Sequence, residues 1–242
     1  MRFTYTAYGD LLRLLKQQQY SFQDYHTYAG VRRCVILRHD IDQSPLAALK
    51  MAQLEAEEGV RSTYFLLLRT DFYNPASKAI LSAVQQIYAL GHEIGLHFDE
   101  MAYGGILTPE EAVQKILAEA QMLSAILELP ITTVSMHRPS KNTLNADLQI
   151  PGIVNSYGKT FFHDFKYLSD SRRNWREPVL DIIRFGEYDR LHILTHPFWY
   201  HDQEESLSES VGRFISNAKH ERYAQMTENI RDLTSILRED EI

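Results

Sequence analysis

The run Arg38-His39-Asp40-Ile41-Asp42 puts two carboxylates and an imidazole directly behind an apolar stretch, residues 34–37 (Cys34, Val35, Ile36, Leu37). Ser44 and Pro45 follow, an N-cap and first-turn pair that opens a helix. The polar residues therefore sit at the carboxyl end of a buried strand and ahead of a helix, where α/β folds place their chemistry. The same arrangement recurs down the chain. His97 and Asp99 follow the apolar segment 92–96, His137 and Arg138 follow 131–136, Asp170, Ser171 and Trp175 follow 165–168, and His196 follows 190–195. If these strands run parallel, the groups converge on one rim. Carboxylate oxygens and imidazole nitrogens are the ligand set of a hydrolytic divalent metal such as zinc. An Asp or His left over beside that metal can supply general acid and base.

One motif is discounted. His92-Glu93-Ile94-Gly95-Leu96-His97 looks like a metalloprotease signature but carries one residue too many. Positions five apart lie about 140° apart on a helix, and on a strand they face opposite ways. His92 and His97 should not share a metal.

The elements that must position these groups alternate. Helices are expected over 9–19, 45–58, 75–90 and 109–127, the last opened by the capping box Thr108 to Glu111. Gly59 and Gly91 stand where helix C-caps are needed. Strands are expected over 34–37, 62–68, 92–96, 131–136, 152–157, 165–168, 180–185 and 190–195, and the stretch 20–28 reads as a connector. From about Ser206 a long amphipathic helix is expected, with Val211, Phe214, Ile215, Ile230, Leu233 and Leu237 inward. The fold class expected is α/β, a single domain over 1–242 with a mostly parallel sheet closed into a barrel.

Composition narrows the function. Apolar residues make up 44% and charged residues 24%, ordinary for a soluble globular protein. A net charge of -7 argues against a nucleic-acid surface. Cys34 is the only cysteine and lies in an apolar strand, so it reads as a core residue. No apolar signal region or membrane-length run is present, and a cytoplasmic location is expected.

The order of motifs resembles the polysaccharide deacetylase superfamily, the NodB-type metal-dependent carbohydrate esterases. Residues 37–42 resemble its first motif, a strand ending in paired Asp. Residues 91–97 resemble the second, Arg138-Pro139 the third, Asp170 with Trp175 the fourth, and Leu194-Thr195-His196 the fifth. The likeness covers about residues 35 to 200. It implies a distorted (β/α) barrel of about seven mostly parallel strands with added N- and C-terminal helices, a divalent metal, and removal of an acyl group from an amide nitrogen. Carried over by position, Asp40 is the base, Arg138 and Asp170 orient and tune it, and His196 is the acid. Asp42 and His97 are metal ligands.

Two departures from the pattern matter. Ile41 separates Asp40 from Asp42, where the family usually has adjacent Asp. Met101 falls where the second metal His would stand. His137 is therefore expected as third ligand, with Asp99 and Glu100 as the fallback. His39, Trp175 and Trp199 are assigned to the substrate, and Phe198, Trp199 and Tyr200 either stack on a sugar ring or form the apolar flank of their loop. The activity expected is hydrolysis of a non-peptide C–N bond, a deacetylase or deformylase acting with Zn²⁺ on an N-acylated sugar or surface-glycan precursor. The alternative is a non-catalytic carbohydrate-binding protein that kept the barrel. A small-molecule or glycan substrate is the partner expected, without nucleic acid or membrane, and a homo-oligomer is left open.

Overall fold

In the computed structural model, which describes all residues from Met1 to Ile242, the chain divides into two compact units, Met1–Asp202 and Gln203–Ile242. The first unit runs α1 (Tyr5–Gln17), β1 (Ser21–Gln23), β2 (Cys34–Ile41), α2 (Pro45–Glu57), β3 (Thr63–Leu67), α3 (Lys78–Ala89), β4 (Glu93–Asp99), α4 (Pro109–Leu127), β5 (Thr133–His137), α5 (Lys141–Asn145), β6 (Val154–Asn155), α6 (Lys159–His163), β7 (Lys166–Ser169), α7 (Val179–Phe185) and β8 (Arg190–Thr195). All strands lie in this unit, so the barrel expected over 1–242 occupies 1–202.

Every strand pairing is parallel. The order is β6-β5-β4-β3-β2-β8-β7, with β1 added beside the start of β2. Seven strands thus form a curled half-barrel wrapped by helices, the distorted (β/α) barrel of the deacetylase type. No ladder joins β6 to β7, so the sheet does not close as the sequence suggested. β6 has only two residues, too few to carry a further ladder.

Strand alternation sorts the side chains. Val35, Leu37, Leu191 and Ile193 face outward and pack under α1 and α7 in one apolar cluster. Ile41, Tyr64, Leu66, Ile94, Leu96, Phe98, Val134 and Met136 pack outward under α2, α3 and α4 in a second. The intervening positions face inward, where Tyr25, Cys34, Ile36, Phe65, Phe161 and Phe165 form a smaller cluster. Gly95 lies directly across from Phe65 in the ladder. A Cβ on Gly95 would stand 2.5 Å from the Phe65 ring and 2.9 Å from the Thr133 carbonyl oxygen, so only glycine leaves room for that ring.

Two expectations are corrected. Residues 180–185, expected as a strand, are helix α7. The run is short and apolar, where period alone cannot separate strand from helix. Asp181 in its first turn, Arg184 in its last and Gly186 at φ +65° are helix-end signals that decide it. The stretch 20–28 contains the short strand β1.

In the second unit, α8 (Leu207–Asn229) opens with a capping box from Ser206 to Glu209 and is followed by α9 (Leu233–Ile236). Leu233 is buried as expected, but Val211, Ile215 and Leu237 are exposed. Only Ser210 and Tyr223 are buried along α8. The apolar positions recur too sparsely for one continuous inward stripe. No helix of the protein is long and apolar enough to cross a membrane.

Candidate metal centre and its acid–base groups

β2 continues through Ile41, past the point where the residues turn polar. Arg38 and Asp40 therefore face into the barrel, and His39 between them faces out. β4 likewise continues through Asp99, turning His97 and Asp99 inward, and on β5 the inward positions are Thr133, Ser135 and His137. The ladder sets His97 opposite Ser135 and Asp99 opposite His137. Asp42 lies just beyond the end of β2, two residues from Asp40 and so on the same side.

These placements bring Asp42, His97 and His137 together, with one ligand atom of each within 4.8 Å of the others. His97 Nε2 lies 3.3 Å from Asp42 Oδ1, and His137 Nε2 lies 3.8 Å from the same oxygen. Asp42 Oδ1 is buried and has no hydrogen-bond partner in the protein. A buried carboxylate oxygen that has no hydrogen-bond partner and faces two imidazole nitrogens is a donor set suited to a metal ion. The other ring nitrogen of His97 is engaged, 3.0 Å from Ser135 Oγ, which fixes the ring and leaves Nε2 free to ligate. Burial, reinforced by the neighbouring His97, holds His137 below the ordinary histidine range and therefore neutral, the form that binds metal. The donor set fits a divalent cation.

Met101, at the position that departs from the family pattern, is 49% exposed and takes no part in this group. Glu100 is committed elsewhere. It accepts from the Leu107 and Ser140 backbone N–H groups and from the Ser140 and Thr143 hydroxyls. Asp99 accepts from Arg138 and from the Met101 backbone N–H, with His137 Nδ1 3.4 Å away.

Asp40 is buried and gripped along both oxygens by Arg38: Nε donates to Oδ1 at 2.9 Å and Nη2 to Oδ2 at 2.7 Å. Burial would raise this carboxyl. The Arg38 guanidinium, with His97 and His196, outweighs it and holds the group well below the usual carboxylate range. Arg38 also donates to the hydroxyls of Ser135 and Ser156. His97 Nε2 stands 3.5 Å from Asp40 Oδ2, tying the carboxylate to the candidate metal ligands.

At the end of β8, His196 Nδ1 donates to Asp170 Oδ1 at 2.7 Å. The fully buried Asp170 also accepts from the His196 backbone N–H and from the Tyr200 hydroxyl. Burial would lower His196, but the bond to Asp170 and the charges of Asp170, Asp40 and Asp42 push it up to about 9. It is an imidazolium at neutral pH, with Nε2 3.8 Å from Asp42 Oδ2.

Several assignments change. Arg138 does not meet Asp170 or Asp40. Its backbone is left-handed, φ +50°, its side chain is 62% exposed, and it bonds Asp99. The arginine on Asp40 is Arg38, and Asp170 holds His196 rather than Arg138. His39, expected at the substrate, faces away from the rim. It is buried behind the sheet, with Nδ1 2.6 Å from Thr195 Oγ1 and Nε2 donating to Glu55 Oε1 at 2.9 Å. Glu55, fully buried on α2, also accepts from Tyr8, Ser62 and Tyr64, and these bonds with His39 hold it at about 2 against its burial. His92 joins the same cluster, as a structural residue should. Tyr200 is buried on Asp170 and Phe198 is buried, so neither offers a face to a sugar. Trp199 is half-buried, its ring centroid 6.4 Å from that of His196. Trp175 is half-buried and lines a cavity of about 360 Å³ with Tyr157, Phe162 and Tyr167. Sequence reasoning gave no role to Arg38 or Ser135, and it placed Tyr200 at a sugar ring or in an apolar flank rather than on Asp170. Arg38 was legible in principle, because it lies two residues before Asp40 on one strand.

No family model and no curated protein matches the chain. Solved structures do. A CE4 esterase from Streptococcus mutans matches with a TM-score of 0.52 at 16% identity, covering 87% of this chain and 90% of that one. A polysaccharide deacetylase from Bacillus cereus matches with a TM-score of 0.48 at 16% identity, covering 78% and 89%. A CE4 family pseudoenzyme from Bacillus anthracis matches with a TM-score of 0.45 at 15% identity, covering 79% of this chain. The matched region spans 62% of that pseudoenzyme's length. Parallel strands in this order, with inward histidines and carboxylates at their carboxyl ends, give the chain the fold of the CE4 polysaccharide deacetylases.

Proposed function

We propose that the protein is a metal-dependent hydrolase of a non-peptide C–N bond, removing an acetyl or formyl group from an N-acylated sugar or surface-glycan precursor. The observation that carries this reading is the meeting, on one rim, of three groups: Asp42, His97 and His137; Asp40 in the grip of Arg38; and His196 on Asp170. One carboxylate and two imidazoles suit zinc, the metal we propose.

Asp42, His97 and His137 would hold the ion, which when bound supplies Lewis acidity toward a carbonyl oxygen. Asp40 is ionised and can accept a proton from an attacking water. Arg38 fixes both its oxygens, so the carboxylate is already aimed and need not reorganise. His196 carries a proton on Nε2 and can deliver it to the departing amine nitrogen. Asp170 holds the ring by Nδ1 and stabilises the imidazolium. The two protons thus move on separate groups: one from water to Asp40, one from His196 to the amine.

The non-catalytic alternative accounts for a sugar-sized cleft but gives no reason to bury the Asp170–His196 pair. Taking a charged pair out of water costs several kcal/mol per ion, and a binding surface has no use for a protonated imidazole on the rim. The test is release of acetate from an N-acetylated amino sugar by zinc-loaded protein. Asp40→Asn should retain the metal and lose turnover. Loss of the metal in that variant would make Asp40 a ligand instead.

A further inference from the structure

Beside the candidate metal centre lies an open cleft of about 640 Å³, lined by Asp42 and His137 and also by Arg69 and Arg138. Clefts of about 300–1,000 Å³ accept small-molecule ligands. Arg69 stands two residues past the end of β3, on the same rim as the metal ligands.

Its guanidinium is held in an unusual way. Nε donates to Glu119 Oε1 at 2.9 Å and to the Tyr103 hydroxyl at 3.2 Å. The Tyr103 hydroxyl donates to the same Glu119 oxygen at 2.6 Å, and the guanidinium carbon lies 4.8 Å from the Tyr103 ring centroid. Glu119, on α4, is buried, and its second oxygen has no partner. The arginine is thus anchored by its Nε edge on a buried carboxylate and an aromatic face. Its two terminal nitrogens make no bond within the protein, and the side chain is 47% exposed. Burying a carboxylate is costly unless it is bonded. Here that carboxylate holds one arginine in position and leaves the paired donors of its fork open. Such a fork matches two oxygens of a phosphate or carboxylate.

The charges facing the cleft are consistent with an anion. Asp42 belongs to the metal group and Asp99 is bonded by Arg138. Asp71 is the remaining carboxylate in the lining, against two guanidinium groups.

We propose that this cleft selects an amino-sugar substrate carrying an oxyanionic substituent, a phosphate or a carboxylate, and that Arg69 is the residue that binds it. The inference rests on the reading of the site as an amino-sugar hydrolase, and adds the charge of its substrate.

The experiment is calorimetric titration of zinc-loaded protein with three sugars: N-acetylglucosamine, N-acetylglucosamine 1-phosphate and N-acetylmuramic acid. The phosphate and the carboxylate are separate arms. At least one anionic sugar should bind tenfold or more tightly than the neutral one. Arg69→Met should abolish that preference without weakening the neutral sugar, and Arg69→Lys should keep part of it. Because Arg69→Met leaves Glu119 unpaired, the double variant Arg69→Met/Glu119→Gln removes the buried charge and should repeat the result with a restored melting temperature. Equal binding of all three sugars would overturn the proposal. So would a preference that survives Arg69→Met, because the anion would then be sitting on the metal. Turnover of a neutral sugar with no anionic preference would sink this proposal and leave the hydrolase standing. An Arg69-dependent preference without any turnover would do the reverse.

Discussion

Arg38 and Asp40 stand two residues apart on one strand, and the guanidinium of the first closes on both oxygens of the second at 2.9 and 2.7 Å. Alternate residues of a strand share a face, so the pair is built from a single element and does not depend on a loop from across the barrel. Arg38 is fully buried, and its other hydrogen bonds go to Ser135 on β5, to Ser156 just past β6 and to the Tyr157 hydroxyl. It braces the interior beside the seam where the sheet stays open.

That position predicts a large effect of substitution. Arg38→Gln leaves the buried Asp40 charge unpaired, and breaking a buried pair from one side costs about 3–5 kcal/mol. Denaturant unfolding should show a loss of that order, together with loss of turnover. Arg38→Lys keeps the charge but not the two-pronged grip, and should lose activity with a smaller loss of stability. Wild-type activity in Arg38→Gln would remove Arg38 from the site.

His196 sets the pH dependence. Its folded value, about 9, lies above its ordinary value because of Asp170. The acid form is lost as pH rises through about 9, so turnover should fall on that alkaline limb. The stability contributed by the Asp170–His196 pair has the same sign: fully present below the ordinary histidine value and lost as pH rises through about 9. Asp170→Asn removes the main raising influence and should move the alkaline limb downward. His196→Ala should retain fold and metal and lose about 10²–10⁴-fold in rate. An Asp170→Asn profile that overlays the wild type would dissociate Asp170 from the acid.

Gly95 supports the site from beneath. Gly95→Ala drives a Cβ into the Phe65 ring and the Thr133 carbonyl. Overpacking of this kind costs about 1–3 kcal/mol. Thermal unfolding should report it, and the histidine two residues on, His97, should bind metal more weakly. An unchanged melting temperature would mean that β3 and β4 can separate freely there.

Sequence and structure part company where strands run further than their hydrophobicity. Residues 38–41 turn polar and read as a loop, yet β2 continues through them. Placing Asp40 at the site needed only its position near a strand end. Placing His39 needed its face, and an uninterrupted strand turns it outward to Glu55. The same alternation explains why His97 and Asp99 could be grouped correctly from spacing. The resemblance of Arg138-Pro139 to the third motif points to Arg138, whereas the arginine that shares a strand face with Asp40 is Arg38. The left-handed backbone at Arg138, which turns its side chain to Asp99, leaves no mark in composition or period. β8 was legible throughout, its apolar residues bounded by Arg190 and Pro197. The tail helix was legible at its cap, not in its facing, because Val211 and Ile215 are exposed.

Metal content in wild type and His137→Ala, with turnover measured alongside, tests the central claim most directly. The protein should bind about one divalent ion per chain, zinc in the simplest case. A chelator should abolish acetate release, and added zinc should restore it. His137→Ala should lose most of the bound metal, and Met101→Ala should keep it. A purified protein that holds no stoichiometric metal, or one whose turnover is indifferent to the chelator, would contradict the account.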